Sequence, residues 1–239
     1  MDGFTYHNIF DTKGIEYLAI ILFFAILIPF WYLLNKQARL SRQIQKTLDN
    51  LTFDALKIPQ GLFFSKNHTW THLEKSGIAK VGLDDLLMHI TGGVKFSSLK
   101  QPGEKINKGD LLAEINQNGK HLKVFAPISG EILDANPLLT SGNELLNEDP
   151  TSKGWIYKVK PFKWIAETNS YFLADDATKW SASELERFKD FLASSMAKYS
   201  PDPSKIILQD GGELRDQPLS DLPQEIWQDF QQNFLNNSL

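Results

Sequence analysis

At 239 residues the chain has room for one substantial domain with appendages, and 42% hydrophobic with 23% charged residues is the make-up of an ordinary folded protein. A net charge of −4 gives no basis for wholesale phosphate neutralisation, so nucleic acid is not an expected partner. Cysteine is absent, which removes disulfides, thiolate nucleophiles and Cys-ligated metal centres; His7, His68, His72, His89 and His121 fall in no metal-ligand spacing, and neither a glycine-rich phosphate loop nor a Gly-x-Ser-x-Gly elbow occurs.

Residues 1–16 are net acidic and are expected to form a short extracytoplasmic segment. Residues 17–35 follow as a predicted transmembrane helix. Its core, Tyr17 to Leu34, is uncharged and almost wholly apolar, just long enough to span a hydrocarbon layer of roughly 30 Å when its flanks are included. Pro29 predicts a bend, and Trp31 and Tyr32 suit an interfacial belt. A cleaved signal peptide would begin with basic residues and end with small ones, and this stretch does neither. Lys36, Arg39, Arg42 and Lys46 lie just beyond the span, against Lys13 before it, so the positive-inside rule sets the N-terminus outside and the main domain in the cytoplasm. This is the pattern of a single-pass protein of a bacterial cytoplasmic (inner) membrane. Residues 36–60 are a basic juxtamembrane helix or linker, with Leu40, Ile44, Leu48 and Leu51 at helical intervals.

Residues 61–161 change to short β-rich pieces. Strands are predicted at Leu62-Phe63-Phe64, Thr69 to Leu73, Ile78 to Val81, Val94 to Leu99, Leu111 to Gln117, His121 to Phe125, Glu131 to Asp134 and Trp155 to Val159. Asp84 to Ile90 is the one helical interruption, with Leu83, Leu86, Leu87 and Ile90 as its apolar face. Such a pattern implies a mainly β fold, a small barrel or sandwich. Lys108 to Pro127 reads as a single hairpin with Asn118-Gly119 at its tip, because a two-residue primed turn needs the positive φ that Asn and Gly tolerate.

These residues resemble the lipoyl-bearing H protein of the glycine cleavage system. The resemblance rests on Ser65-Lys66-Asn67-His68-Thr69-Trp70, Ala79-Lys80-Val81-Gly82-Leu83-Asp84, Lys108-Gly109-Asp110, Ala126-Pro127-Ile128-Ser129-Gly130-Glu131-Ile132, Asn136-Pro137-Leu138-Leu139, and Leu146 to Pro150 through Gly154-Trp155. It covers about Leu62 to Pro161 without a large gap and implies a lipoyl/biotinyl-type barrel-sandwich hybrid. In that family a lysine at the hairpin tip carries the lipoyl arm. Counting forward from Lys108 and backward from Ala126 puts that position on Gly119, and the Glu of the family's attachment pattern on Asn116. Lys120 stands one residue late, and a one-residue step turns a strand side chain to the other face. The preferred reading is therefore a domain without its prosthetic group. The competing one is a rearranged turn at which Lys120 is lipoylated.

His68 and Trp70 alternate on a predicted strand and are read as structural. Asn147 to Pro150 read as a turn, and Asp84-Asp85 as acidic residues favoured in a helix's first turn. Residues 162–239 form a predicted α-rich extension. Phe162 to Ala166 and Tyr171-Phe172-Leu173 are aromatic-rich and suited to pack back on the barrel. Ser183-x-x-Glu186 reads as a capping box opening a helix that ends near Tyr199, before a break at Ser200 to Pro203. Ile206 to Leu208 is a candidate strand followed by a turn at Asp210 to Gly212. A last helix has Asp221 as N-cap and Pro223 in its first turn, with Ile226, Trp227, Phe230 and Phe234 on one stripe. Such stripes are commonly core, but the parent domain closes its own, so Trp227, Phe230 and Phe234 are expected to meet another protein.

No catalytic constellation is found. The sequence supports a membrane-anchored accessory or scaffold subunit of a membrane-associated protein complex. The alternative is a lipoyl carrier through Lys120, for aminomethyl or dithiol transfer, in a redox complex of the heterodisulfide-reductase kind. A third option is a spacer that positions the C-terminal helices.

Overall fold

The computed structural model describes residues 17–31, 50–141, 144–199, 208–209 and 213–236. They fall into two units divided after Asp49. In the first, residues 17–31 form a helix, α1, with every side chain exposed. At ~1.5 Å per residue this helix is about 22 Å long, short of a hydrocarbon core of roughly 30 Å. Among the described residues no helix is long and apolar enough to cross a membrane, so the predicted span of 17–35 is met only in part. The rest of that span, residues 1–16, and Lys36, Arg39, Arg42 and Lys46 of the basic stretch lie outside the described residues.

The second unit is built on antiparallel strands. A six-stranded sheet runs in the order β2 (Phe63–Phe64), β3 (Thr69–Leu73), β4 (Ala79–Leu83), β10 (Tyr157–Pro161), β9 (Gly130–Ala135), β6 (Lys105–Ile106). A three-stranded sheet has the order β5 (Lys95–Ser98), β7 (Leu111–Gln117), β8 (Lys120–Phe125). The predicted strands Thr69 to Leu73 and Leu111 to Gln117 are present with those bounds, and the others shift by a residue or two. Alternation explains the sandwich: along β8 Leu122 and Val124 are buried while His121 and Lys123 face out, and their ladder partners on β7, Ile115 and Ala113, are buried too; the register irregularity before Ala113 lets its neighbour Leu112 be buried as well. α2 (Asp85–Thr91) starts at Asp84, whose side chain accepts the Leu87 amide at 2.8 Å, and Leu83, Leu86, Leu87 and Ile90 are all buried as predicted. It is not the one helical interruption: two short helices, α3 (Leu138–Ser141) and α4 (Glu144–Glu148), follow β9, and α4 takes in Asn147 and Glu148 of the expected turn.

The C-terminal part departs furthest from the sequence reading. α6 runs from Asp175 to Tyr199, so Ser183 lies inside the helix and opens nothing. The eight residues before it continue the helix because Ala177 and Trp180 are buried in a cluster with Leu62, Phe64 and Trp70, with Trp180 stacked on Phe172 at 5.0 Å. Tertiary burial thus outweighs a local cap. α7 (Gln224–Asp229) has Pro223 at its N-cap rather than Asp221, whose carboxylate instead sits 3.5 Å from Arg215. The helix then widens into a π-helical turn, Phe230–Leu235, in which the Phe230 and Phe234 rings stack 4.9 Å apart. A small sheet ordered β1 (Asn50–Leu51), β12 (Glu213–Arg215), β11 (Leu208–Gln209) ties the start of the unit to this end of the chain. Ile206 and Ile207 and the Asp210 to Gly212 turn lie outside the described residues.

Trp227, Phe230 and Phe234 are each 0% exposed and share one core with Val81, Leu83, Leu112, Ile115 and Val124 of the barrel. This corrects the expectation that they meet another protein. The barrel does not close by itself in this chain, and the stripe supplies part of its core. Truncating one such ring typically costs about 3–5 kcal/mol.

Candidate functional site

The hairpin formed by β7 and β8 has the predicted form. Gln117 pairs with Lys120, leaving Asn118 and Gly119 as a two-residue loop with φ of +52° and +82°, the signature of a primed turn. A Cβ at Gly119 would meet nothing within 4 Å, so backbone conformation and not space calls for glycine there. Asn116, at the position the resemblance gives to Glu, places its amide nitrogen 3.0 Å from the His121 ring and pairs with that residue across the ladder. Gln117 turns inward and donates to Thr91 O and Gly93 O at 2.9 and 3.1 Å.

Lys120 does not project from the tip. Its Nζ donates to Ser220 O at 2.7 Å and Leu222 O at 3.0 Å, and lies 5.1 Å from the centroid of the Trp227 ring. Burial against the extension lowers the pKa of this amine below the ordinary lysine value, with the Asp221 carboxylate opposing the shift. Sequence reasoning singled out Lys120 but had no signal for this partner, because the partner is backbone some hundred residues away and carries no motif.

Two histidines are each clasped between carboxylates. His89, on α2, has Nδ1 2.7 Å from Asp216 and Nε2 3.4 Å from Asp85. Burial pushes its pKa down, but the two carboxylates more than offset this and raise it to about 9. His68 is fully buried, 2.7 Å from Asp84 and 3.4 Å from Glu184 of α6. Its ring stacks on Phe234 at 5.4 Å and lies 5.4 Å from Trp180. Here too burial works against the charge and is overcome by Asp84 and Glu184, giving a pKa raised to about 9. Burial likewise opposes ionisation of Glu184, yet His68 and Arg187 together pull its pKa below the usual carboxylate value. His68 itself has φ of +56° and precedes β3, so it does not share a strand face with Trp70 as the alternation implied. The Ser65 to Thr69 turn, closed by the Ser65 amide on Thr69 O at 2.8 Å, takes it out of the strand.

Among the described residues no group of three or more His, Asp or Glu side chains is arranged to hold a metal ion. Neither tip residue fits a lipoyl arm in this conformation: Gly119 has no side chain to acylate, and the Lys120 amine already serves two carbonyls.

The profile of the family described as "Glycine cleavage H-protein" matches residues 62–184, continuing past Pro161 through α5 (Trp164–Thr168) into α6. The chain is 35% identical to the probable glycine cleavage system H protein of Thermococcus gammatolerans over 127 residues, 53% of this chain and 94% of that one. It is 32% identical over 106 residues to the glycine cleavage system H protein of Thermus thermophilus, 44% of this chain and 82% of the relative. Among solved structures, the glycine cleavage system H protein from Mycobacterium marinum is similar at 22% identity and a TM-score of 0.46, covering 52% of this chain and 98% of that one. With the motif order and the hairpin turn already in place, the family profile and the two relatives above 30% identity lead to one conclusion: the chain belongs to the glycine cleavage H-protein family.

Proposed function

We propose that this protein is a membrane-anchored, H-protein-like accessory or scaffold subunit, held on the cytoplasmic face of a bacterial inner membrane and binding protein subunits of a membrane-associated complex. The observation that carries this reading is the hairpin tip, with glycine at 119 and the Lys120 amine drawn down onto Ser220 O and Leu222 O. A carrier needs a free amine on which to build an arm, and this tip offers none. The anchor is supported by the uncharged run from Tyr17 to Leu34 and by the basic residues that follow it.

The lipoyl-carrier reading through Lys120 is disfavoured by the same geometry. Intact-mass measurement of protein taken from its own host separates the two, since the accessory reading expects the unmodified mass and a lipoyl-sized increment on Lys120 would overturn it. Membrane fractionation with gentle sizing in detergent tests the remainder. A membrane-bound particle larger than the chain supports the proposal, and a lone protomer in the soluble fraction refutes it.

A further inference from the structure

Three sets of contacts hold the C-terminal segment against α2 and the β7–β8 hairpin. On one side the amides of Gln217 and Leu219 donate to His89 O and Ile90 O at 2.8 and 3.1 Å. On the other, Gln231 Oε1 accepts the Lys123 amide at 2.6 Å. Between them Lys120 Nζ serves Ser220 O and Leu222 O beneath the Trp227 ring, whose Nε1 donates to Leu219 O at 2.8 Å. The two carbonyls belong to a tight turn in which the Ser220 amide donates to Gln217 O and the Leu222 amide to Leu219 O, at 3.0 and 3.1 Å. One amine thus ties two carbonyls of the turn to the hairpin.

We propose that Lys120 is the pin of a latch: its ammonium holds the Gln217 to Leu222 turn shut against the hairpin, so that an acylated Lys120 and a closed C-terminal cover exclude one another. Acylation removes the charge and leaves a single N–H where two carbonyls now require two donors. Hydrogen bonds from a charged donor are each worth roughly ten- to hundred-fold in a local opening equilibrium, enough to set how often this short turn lifts. The inference goes beyond the accessory role and does not depend on the membrane anchor. It concerns what any modifying enzyme would meet at this amine.

The test uses the full chain in mild detergent. Treatment with an acetylating N-hydroxysuccinimide ester, followed by peptide mass spectrometry, compares Lys120 with the exposed Lys123 of the same strand. Lys120 is expected to react at least ten-fold more slowly, and equal rates would overturn the latch. Hydrogen exchange is then compared between the wild type, Lys120→Gln and Lys120→Arg. The Gln variant should exchange at Gln217, Leu219, Ser220 and Leu222 at least ten-fold faster with β9 and β10 unchanged, while Arg keeps most of the protection. Unaltered exchange in the Gln variant also refutes the latch. The acetylation rates need no variant and decide the matter if Lys120→Gln does not fold.

Discussion

Raising the pH from 6.5 to 9 should unfasten the two histidine clasps. His68 is fully buried, with one carboxylate at 2.7 Å and a second at 3.4 Å, and its pKa is raised from 6.5 to about 9. A group whose folded pKa lies above its unfolded one stabilises the fold fully below the unfolded value and loses that contribution as pH rises through the folded value. At ~1.36 kcal/mol per unit, the His68 shift corresponds to about 3 kcal/mol, most of it lost between pH 6.5 and 9 and the remainder just above, since half the sites are still protonated at the folded value. His89, raised to about 9 by Asp216 and Asp85, adds a second loss of the same sign in the same window. The assay is urea unfolding of the full chain in mild detergent, followed by tryptophan fluorescence at half-unit pH steps. Stability should fall by at least about 3 kcal/mol across the window, a large share of the ~5–15 kcal/mol of a typical domain. A curve that is flat or rising between pH 6.5 and 9 would refute the reasoning, since it would mean that neither histidine is protonated in the fold.

Trp227→Ala and Phe234→Ala should each cost about 3–5 kcal/mol, read as a lower urea midpoint, because both rings are fully buried in the barrel's core. Gly119→Ala should lower stability by only about 1 kcal/mol in a thermal melt, as φ of +82° is strained for an L residue but the space is open. Gly82→Ala should prevent folding or come close to it, since its Cβ would lie 2.4 Å from the buried Trp70 indole, and soluble yield is the check. Asp216→Asn should reduce the His89 share of the alkaline loss, Asp85 still facing the ring, while leaving the His68 share, so the stability–pH curve becomes shallower without becoming flat.

The sequence by itself determined the features whose information is local. Leu111 to Gln117 and His121 to Phe125 are two short runs that can pair, Asn118-Gly119 between them tolerates the positive φ of a primed turn, and Asp84 caps the helix that follows it. The spacing from Lys108 to Ala126 likewise placed glycine at the tip: the ladder shifts register once, between Leu111 and Ala113, and from there to the Gln117–Lys120 pair it is continuous. Only the tertiary structure decided matters that depend on a distant partner. The stripe of Trp227, Phe230 and Phe234 looks the same whether it meets this barrel or another protein, and only the assembled core shows which face covers it. The Ser183 box is a valid cap until burial of Ala177 and Trp180 carries the helix past it. The fate of the Lys120 amine could not be read from its neighbours, because what holds it is two main-chain carbonyls that any sequence would supply and only the fold brings within 3.0 Å.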